Sequence, residues 1–338
     1  MNSRDQGTEA ARCAGPSGRL SATVVVPTFG RRFHEIACAL AGVLDQSAHD
    51  YEVVVVDQND TADPALADYA AKNGPRLRVV RISEKGLPNA RNVGTAHARG
   101  DIIIFCDDDV AVGQGFVSAH IACYSDSAVA GVAGRVVDGG VSGRSDPDAW
   151  RPLLQSLVAG AGADGGSVSA AAARVGAFRR WDADFTAGYS SAARCFVDSA
   201  FGCNMSFRKT ALERVGGFSE SFGGTAHLEE SDLCLRIGKL GGRIVFEPAA
   251  LLVHLKGTGG GCRARSAARW AYWYGHNYLL LFLRHFERRF LPVFLAARLL
   301  RFLKFAFEFH DLAPFLEGIK GLLDGARTHY KHAYRRHN

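Results

Sequence analysis

The feature that most constrains the fold is a regular alternation of short apolar, β-branched runs with helix-like segments in the first third of the chain. Four such runs occur between residues 23 and 110, and the fourth contains Ile102-Ile-Ile-Phe-Cys106 followed by three consecutive aspartates. Continuous apolar runs of this length are typical of strands buried on both faces of a parallel sheet. Because parallel strands need crossover helices, the pattern predicts an α/β sheet flanked by helices.

The segments between these runs have helical spacing and turn signals at their ends. Strands and helices are predicted to alternate over residues 23–27, 33–44, 51–57, 63–72, 77–82, 87–98 and 101–110. Further on we expect a helix, two strands, two helices and two short strands, over 115–124, 129–133, 201–207, 208–215, 228–237, 243–247 and 251–254. Residues 139–195 are rich in Gly, Ala and Ser without periodicity, which indicates a variable insertion.

Polar side chains follow three of the predicted parallel strands. Thr28 follows the first, Asp57 ends the second, and the fourth ends in Asp107, Asp108 and Asp109. The carboxyl ends of such strands meet at one edge of the sheet, where α/β proteins bind ligands. Three adjacent carboxylates repel one another, and a divalent cation would relieve this repulsion. Asp107 and Asp109 share one side of an extended chain and could hold the ion, although an acidic loop without an ion is the alternative.

Composition and charge argue against several classes of protein. The 338 residues are 47% hydrophobic and 22% charged, as in ordinary globular proteins. Eight cysteines form no CxxC pair, so we expect reduced, structural thiols and no zinc site. The net charge of +6 lies in the tail, because residues 284–338 contain 11 Lys and Arg against 5 Asp and Glu, and nucleic-acid binding therefore gains no support. Residues 1–19 lack the apolar segment of a secretory signal, which favours the cytoplasm.

Six segments in a fixed order give the chain a resemblance to the inverting glycosyltransferases of family 2. They are VVVPTFGR (24–31), VVVVDQND (53–60), KGLPNARNVG (85–94), FCDDDV (105–110), GCNMSFRKTALERVGGF (202–218) and HLEESDLCLRIGKLGGRI (227–244), followed by a strand ending in His254. Agreement in that order is far more specific than any one motif. The resemblance covers roughly residues 20–260 and implies a GT-A fold with a Rossmann-like, mostly parallel central sheet flanked by helices. Beyond it, the aromatic and basic tail predicts a C-terminal helical extension.

The resemblance also implies a division of the chain and a reaction. Residues 1–20 would form a disordered segment, 21–262 the GT-A domain and 263–338 the helical extension. Within the domain, about 21–135 would bind the nucleotide-sugar and about 196–262 the acceptor. The expected reaction is a metal-dependent transfer from a UDP- or dTDP-sugar to a hydroxyl of a saccharide or lipid-linked acceptor, in cell-surface polysaccharide or glycolipid synthesis.

Donor-side roles follow from the same resemblance. Pro27, Thr28 and Phe29 would hold the nucleoside, and Asp57 would accept a hydrogen bond from a pyrimidine ring N–H. The remaining residues of the nucleotide-sugar site would be Arg31, Lys85, Gly86, Arg91, Asp107 and Asp108, with Lys85 and Arg91 near the diphosphate, where a fixed guanidinium suits the charge. Asp57 as a strand-end turn former and Lys85 as a solvated surface lysine are the alternatives.

The metal would be Mg²⁺ or Mn²⁺, held by Asp109, Asp107 and His254 and bridging both phosphates of the donor. His254 matches a histidine that completes the metal site in some members of the family. A histidine after a strand is equally well explained as a hydrogen-bonded structural residue, so both interpretations of His254 stay open.

The acceptor side needs a general base, because the attacking hydroxyl must lose its proton. Where the family usually has Glu-Asp-x-Asp, this chain has Glu229-Glu230-Ser231-Asp232. We expect Glu230 to be the base, although it is one methylene longer than the family's Asp, with Glu229 as the second candidate and Asp232 as a supporting group. The residues expected to line the acceptor pocket are Gly202, Asn204 and Met205, and a structural strand is an almost equal explanation for them.

The C-terminal extension is aromatic and basic. Residues 270–283 carry no formal charge but are shorter than the roughly 20 residues that span a bilayer. Its helices could lie on an anionic membrane, which would make the protein peripheral on the inner face of the plasma membrane. Packing on the catalytic domain or on a second subunit is an equal alternative.

Three other functions have to be weighed against the sequence. A dinucleotide-dependent oxidoreductase would need Gly-x-Gly-x-x-Gly after the first strand, and residues 27–32 contain one glycine. A receiver-like signalling module explains strand-end aspartates but neither the acidic segment 229–232 nor the length of the chain. A catalytically inactive nucleotide-sugar-binding homologue is compatible with Glu230 in the place of Asp.

Overall fold

A nine-stranded mixed sheet forms the centre of the protein, as seen in a computed structural model that describes residues 20–48, 50–139, 175–256, 259–262, 264 and 266–337. Its strands are β1 (Ala22–Thr28), β2 (Tyr51–Asp57), β3 (Leu77–Arg81), β4 (Ile102–Cys106), β5 (Val110–Val112), β6 (Val129–Asp138), β9 (Cys195–Val197), β10 (Asn204–Arg208) and β11 (Arg243–His254). A separate two-stranded sheet pairs β7 (Ala177–Phe178) with β8 (Phe185–Thr186). The large sheet has the order β3-β2-β1-β4-β10-β6-β11-β5, with β9 also paired to β11.

The helices that pack on and beyond the sheet follow the predicted positions closely. They are α1 (Phe33–Leu44), α2 (Pro64–Asn73), α3 (Leu87–His97), α4 (Phe116–Ala122), α5 (Lys209–Val215), α6 (Glu229–Lys239), α7 (Ala267–His285), α8 (Leu291–Phe309) and α9 (Ala313–His337). Short 3₁₀ turns lie at Gly74–Arg76, Cys123–Ser125 and Arg288–Phe290.

The first half of the sheet is the parallel unit that the apolar runs predict. β1 to β4 pair in parallel, and the register places Thr28 beside Asp57. Val24 and Val26 pack into one hydrophobic core and Val25 into the core on the opposite face, all fully buried. Because both faces of the strands are covered, their polar residues collect at the carboxyl ends, at one edge of the sheet.

The second half of the sheet is mixed, whereas the sequence predicts a mostly parallel sheet. β10 runs antiparallel to both β4 and β6, and β11 is antiparallel to β5 and β9 but parallel to β6. β10 enters the sheet after the insertion and lies directly beside β4, so its first residue, Asn204, pairs with Cys106 at the end of β4. This arrangement brings the segment before β10 close to the aspartates that follow β4.

Two predicted strand boundaries are wrong. The run 101–110 is not one strand, because β4 ends at Cys106 and Asp107–Asp109 form a bend before β5, which crosses to pair with β11. The two short strands expected over 243–254 are one strand, β11, with an irregularity between Glu247 and Leu251. A bulge of this kind re-aims the side chains beyond it, and His254 lies at that end of the strand.

The C-terminal region is helical, as predicted, and its helices α7, α8 and α9 pack on one another. α7 is largely buried from Tyr274 to Leu283, and α9 lies against it at close range. A Cβ atom on Gly321 or Gly325 would lie 2.0 Å or 2.4 Å from a backbone oxygen of α7, so only glycine permits this approach. In the part of the chain that the structure describes, no helix combines the length and apolarity needed to cross a bilayer.

The expected insertion is described only in part. Residues 140–174, and nearly all of the segment 1–20 for which disorder is expected, lie outside the described residues. The described remainder of the insertion contains β7 and β8, and β9 at its end belongs to the large sheet.

Candidate functional site

A cavity of about 560 Å³ lies at the carboxyl edge of the parallel strands. Its walls include Pro27, Phe29, Arg31, Gln58, Leu87, Arg91, Asp107, Asp108, Asp109, Gly202, Cys203, His227, Glu229, Glu230, His254, Cys262 and Trp270. Among the lining residues that the structure describes, five carry carboxyl groups and two carry guanidinium groups. With all of these groups ionised, the described lining residues have a negative excess of three before their histidines are counted. Such a wall attracts cations.

The aspartate triplet, Asp107–Asp109, is partly neutralised from below by Arg31. The Arg31 guanidinium lies 3.3 Å from an Asp108 oxygen and 2.8 Å from an Asp109 oxygen, and the Thr28 hydroxyl donates to Asp108 at 2.7 Å. Burial raises the pKa of Asp108 to about 7 despite these partners. Burial also opposes ionisation of Asp109, but the hydrogen bond and charge of His254 and the charge of Arg31 outweigh it and hold the pKa of Asp109 below its usual range.

Asp107 and His254 meet at the cavity wall. The Nε2 atom of His254 lies 3.3 Å from Asp109 Oδ1 and 4.0 Å from Asp107 Oδ2. Asp107 is the more exposed of the two carboxylates, at 31% against 6% for the side chain of Asp109. The structure therefore brings the three predicted metal residues together, with Asp107 facing the open cavity.

Arg91 links the aspartate triplet to the acidic start of α6. It is fully buried, lies 3.4 Å from an Asp107 oxygen, forms an ion pair with Glu229 and donates to the carbonyl of Gly202 at 2.7 Å. Gly202 has no side chain to obstruct this contact, since a Cβ there would lie 3.1 Å from the guanidinium. The Arg91 guanidinium is thus bound by carboxylates of the protein, and Glu229 in turn has Arg91 as its ion-pair partner.

Glu230 lines the same cavity from the first turn of α6. Its residue surface is only 8% exposed, and burial raises the pKa of its carboxyl group to about 7, against the opposing influence of a backbone hydrogen bond and of Arg91. The residue before the helix, Leu228, is fully buried with φ of +73°, a conformation that L residues rarely adopt. A buried carboxyl group with this pKa can exchange a proton near neutral pH.

Asp232 does not line the cavity. It is fully buried and accepts hydrogen bonds from Arg236 at 2.8 Å, His285 at 2.8 Å and Arg284 at 3.3 Å. Arg284 and His285 belong to the end of α7, so this group, called the Asp232 cluster below, fastens the C-terminal helices to α6. The contacts of Asp232 favour a structural role, and its expected supporting role at the catalytic site stays a prediction.

Asn204 and Met205, expected on the acceptor side, are buried in the core away from the cavity walls. The Asn204 side chain bonds to His120 and to the backbone carbonyls of Arg135 and Ala250. Met205 is fully buried in the core that also contains Phe105 and Phe207. Adjacent side chains of a strand point to opposite faces, and both Asn204 and Met205 are buried because both faces of β10 are covered. Gly202 is left as the predicted acceptor residue at the cavity.

Some of the residues predicted to bind the donor line the cavity, and others lie outside it. Pro27, Phe29 and Arg31 line the cavity, whereas Thr28 lies beneath it on Asp108. Asp57 is buried, accepts hydrogen bonds from Asn59 and lies 3.5 Å from Arg81.

Lys85 and Gly86 lie on the adjoining loop. Lys85 is paired with Asp60 at 2.6 Å, and Gly86 donates its N–H to the side chain of Gln58 at 2.8 Å.

Several residues that line the cavity were not predicted from the sequence. Gln58 follows Asp57 at the end of β2 and could have been found by that position. Cys203, Cys262, His227 and Trp270 reach the cavity through tertiary contacts, and periodicity gives no signal for them.

Comparison with known proteins agrees with this geometry. The model of the family described as glycosyl transferase family 2 matches residues 23–216, which is more than half of the chain. The pre-mycofactocin glycosyltransferase of Mycobacterium tuberculosis is 28% identical over 244 residues, covering 71% of this chain and 44% of the relative. The chain therefore spans less than half the length of this curated relative.

Solved structures give the same fold. The mannosyltransferase PcManGT from Pyrobaculum calidifontis, in complex with GDP-Man and Mn²⁺, has a TM-score of 0.52 at 20% identity, covering 93% of this chain and 77% of the other. TarS 1-349 from S. aureus, in complex with UDP-GlcNAc, has a TM-score of 0.57 at 18% identity, covering 91% and 81%. At these identities the likeness concerns the fold, and it confirms the predicted GT-A architecture.

Proposed function

The chain belongs to glycosyltransferase family 2, and from this premise we propose that it moves a sugar from a nucleotide-diphosphate donor to an acceptor hydroxyl, with inversion at the anomeric carbon. The observation that carries the proposal is one cavity lined both by the aspartate triplet and by Glu230, a carboxyl group whose pKa burial raises to about 7. A phosphate-side cation site and a proton acceptor in the same cavity are the two parts that such a transfer requires.

The residues present fit a divalent cation. Asp107 and Asp109 offer oxygen ligands, His254 offers a nitrogen beside both, and the cavity wall carries an excess of carboxylates. When bound there, Mg²⁺ or Mn²⁺ would neutralise charge on the donor diphosphate. A related mannosyltransferase structure contains Mn²⁺, which supports this choice.

Glu230 is proposed as the general base. The acceptor oxygen forms a bond to the anomeric carbon while the bond from that carbon to the diphosphate breaks, and Glu230 takes the hydroxyl proton. Glu229 is less suited, because it is almost fully buried and its carboxylate already pairs with buried Arg91. A single displacement on the face opposite the leaving group inverts the configuration.

The residues that line the cavity are compatible with more than one nucleobase in the donor. Pro27, Phe29 and Gln58 provide the surface on which the nucleoside would rest, and we propose UDP- or dTDP-sugars as donors. Related structures hold GDP-Man in one case and UDP-GlcNAc in the other, so a guanosine donor belongs in the same test.

Isothermal titration of UDP, dTDP and GDP, with and without Mn²⁺, tests the proposal. At least one nucleotide should bind, and Mn²⁺ should strengthen its binding at least tenfold. Absence of binding for all three would overturn the transferase proposal. Binding without turnover on any acceptor would favour an inactive homologue.

We further propose that the C-terminal region rests on an anionic membrane and that the acceptor is lipid-linked, as in cell-surface polysaccharide or glycolipid synthesis on the cytoplasmic face. The supporting feature is the outer stripe of α8: Val293, Leu300, Leu303 and Phe307, which recur at helical spacing. Phe307 is 77% exposed and Leu300 is 68% exposed, and the opposite face of α8 is buried against the protein.

Charges beside the stripe favour an anionic bilayer over a second protein copy. Arg301 and Lys304 flank the stripe with exposed side chains, at 4.0 Å from Asp184 and 3.5 Å from Glu308. In the turn before α8, Arg289 pairs with Glu287 and Arg288 adds a further positive charge. A basic border around an apolar helix face suits the interface of anionic lipids. α7, in contrast, is buried against the protein, so the packing interpretation applies to that helix.

Flotation with vesicles of neutral lipid or of neutral lipid mixed with phosphatidylglycerol tests this part. The full chain should float with the anionic vesicles, and the double variant Leu300→Glu, Phe307→Glu should not. Leu240→Glu, which changes an exposed leucine outside the stripe, is the control. If the double variant converts a dimer to a monomer in the absence of lipid and the full chain floats with neither vesicle, the membrane proposal is wrong.

A further inference from the structure

One group of three chemically different ligands lies inside the cavity. A carboxylate oxygen of Asp107, the Sγ atom of Cys203 and a ring nitrogen of His254 all lie within 4.8 Å of one another. Asp107 and His254 are already assigned to the proposed cation. Cys203 is not, although it lines the same cavity and is otherwise buried.

The position of Cys203 is fixed by its surroundings. It lies in a tight turn before β10, closed by the bond from Asn204 N–H to the Phe201 carbonyl at 2.8 Å. The next side chain, Asn204, is held at both ends by bonds to His120 and to the carbonyls of Arg135 and Ala250. β10 itself is paired on both sides. These contacts hold the backbone on both sides of Cys203 and so fix the position of its thiol, as a preorganised metal ligand requires.

We propose that Cys203 is a ligand of the bound cation and gives this site a preference for thiophilic divalent ions, such as Zn²⁺ and Co²⁺, over Mg²⁺. The inference rests on the proposed function for the presence of a cation in this cavity, and it departs from the expectation, based on cysteine spacing alone, that the chain has no zinc site. Sulfur ligands select zinc and similar ions, whereas Mg²⁺ favours oxygen ligands, so a thiolate changes the order of affinity.

Distances agree with such a set. Ligand atoms around a tetrahedral zinc ion lie roughly 3.5 Å apart, given metal–ligand bonds of about 2.0 to 2.3 Å. Asp107 and His254 are 4.0 Å apart, and the whole set is within 4.8 Å. Small side-chain rotations close this gap. On binding, the thiol releases its proton to solvent and the sulfur forms the bond to the metal.

Two overlapping ligand sets then share Asp107 and His254. Asp109, 3.3 Å from His254, completes an oxygen-rich set that suits Mg²⁺ or Mn²⁺, and Cys203 completes a set that suits a softer ion. Because two ligands are common to both sets, the two kinds of ion compete for the cavity. A thiophilic ion should therefore displace Mn²⁺ from the protein.

Titration of the full chain with Co²⁺ alone tests the inference without any transfer assay. Thiolate ligation produces an intense near-ultraviolet sulfur-to-cobalt charge-transfer band, which should saturate at one equivalent. Cys203→Ser and Cys203→Ala should abolish the band and weaken Zn²⁺ binding at least tenfold, with Mg²⁺ affinity changed less than twofold. Cys262→Ser is the matched control, because it removes the other described cavity thiol and should keep the band.

The outcomes separate this inference from the proposed function. If the band is absent, or persists in Cys203→Ser, while Mn²⁺ still strengthens nucleotide binding, the thiol is not a ligand and the inference fails alone. If nucleotide and Mn²⁺ both fail to bind but the Co²⁺ band appears and depends on Cys203, the transferase proposal fails and the metal site stands.

Discussion

The aspartate triplet and the Asp232 cluster are both buried acidic groups, and they differ in what neutralises them. Asp232 is enclosed by two arginines and a histidine of the protein itself. The triplet contacts Arg31, Arg91 and His254, but three carboxylates share these partners, and Arg91 also pairs with Glu229. Among the described lining residues of its cavity, carboxyl groups outnumber guanidinium groups. Carboxylates enclosed by cationic partners stabilise the fold, whereas carboxylates that line a cavity with an excess of negative charge can attract a cation.

The comparison also separates two neighbours on one helix. Glu230 and Asp232 are two residues apart on α6, about 200° around the helix axis, so their side chains leave on opposite sides. Glu230 faces the cavity, and Asp232 faces the end of α7. The acidic motif therefore places one carboxyl group at the cavity and one among the basic residues that join α6 to α7.

The largest expected effect is on turnover, from Glu230→Gln. Removing a general base should lower kcat by about 10² to 10⁴-fold, since the acceptor hydroxyl then has no group to take its proton. Nucleotide affinity should stay within about threefold, measured by titration, because the triplet is untouched. Glu230→Asp, which restores the residue usual in the family, is the matched control and should keep measurable transfer. Near-normal turnover of Glu230→Gln would show that the base is another residue.

The next effect is on stability, from Asp232→Asn. Breaking a buried ion pair by removing one partner should cost about 3 to 5 kcal/mol of unfolding free energy, measured by urea denaturation. The hydrogen bond from His285 and the charges of Arg236 and Arg284 outweigh burial and keep the pKa of Asp232 below its usual range. This stabilisation is present above the unfolded-state pKa and is lost as pH falls toward the folded one.

Arg284→Gln provides the comparison, because its contact with Asp232 is longer, at 3.3 Å, and partly exposed. Its loss should be smaller than that of Asp232→Asn. A loss below about 1 kcal/mol for Asp232→Asn would contradict a structural role for the cluster.

A third effect is the pH dependence of transfer. The base must be ionised, and burial raises the pKa of Glu230 to about 7, so kcat/KM should rise with pH and level off above neutrality. At pH 5.5 it should be about 30-fold below the plateau. Rates measured from pH 5.5 to 8.5 check this, and a flat profile would remove Glu230 from the role.

The smallest effect concerns the support beneath the triplet. Thr28→Val removes the 2.7 Å hydrogen bond to Asp108 and should lower the unfolding free energy by about 1 kcal/mol. Thr61→Val, at an exposed position, should change it little. Equal losses in the two variants would mean that the Thr28 bond contributes nothing specific.

Local pattern explains why the first half of the site could be predicted. Thr28, Asp57 and the triplet end strands whose apolar runs are unambiguous, so the sequence places them at one edge of the sheet. The predicted meeting of Asp107, Asp109 and His254 is also observed, although His254 is far away in sequence. There the order of motifs, rather than any periodicity, supplied the signal.

The rest depends on tertiary contacts that local pattern does not encode. Arg91 resembles a phosphate-binding residue in sequence, yet in the fold it pairs with Glu229. Asn204 occurs in a motif near the cavity, but both faces of β10 are covered and its side chain is buried. Helical geometry alone could have separated Asp232 from Glu230, whereas its partners on α7 could not be foreseen.

Counting bound Mn²⁺ by electron paramagnetic resonance, in the presence of the tightest-binding nucleotide, tests the contrast most directly. The native chain should bind one Mn²⁺, Asp107→Asn should bind it at least tenfold more weakly, and Asp232→Asn should bind it normally at a temperature where it remains folded. Normal binding by Asp107→Asn together with loss in folded Asp232→Asn would contradict the division between a ligand-binding and a structural carboxylate cluster.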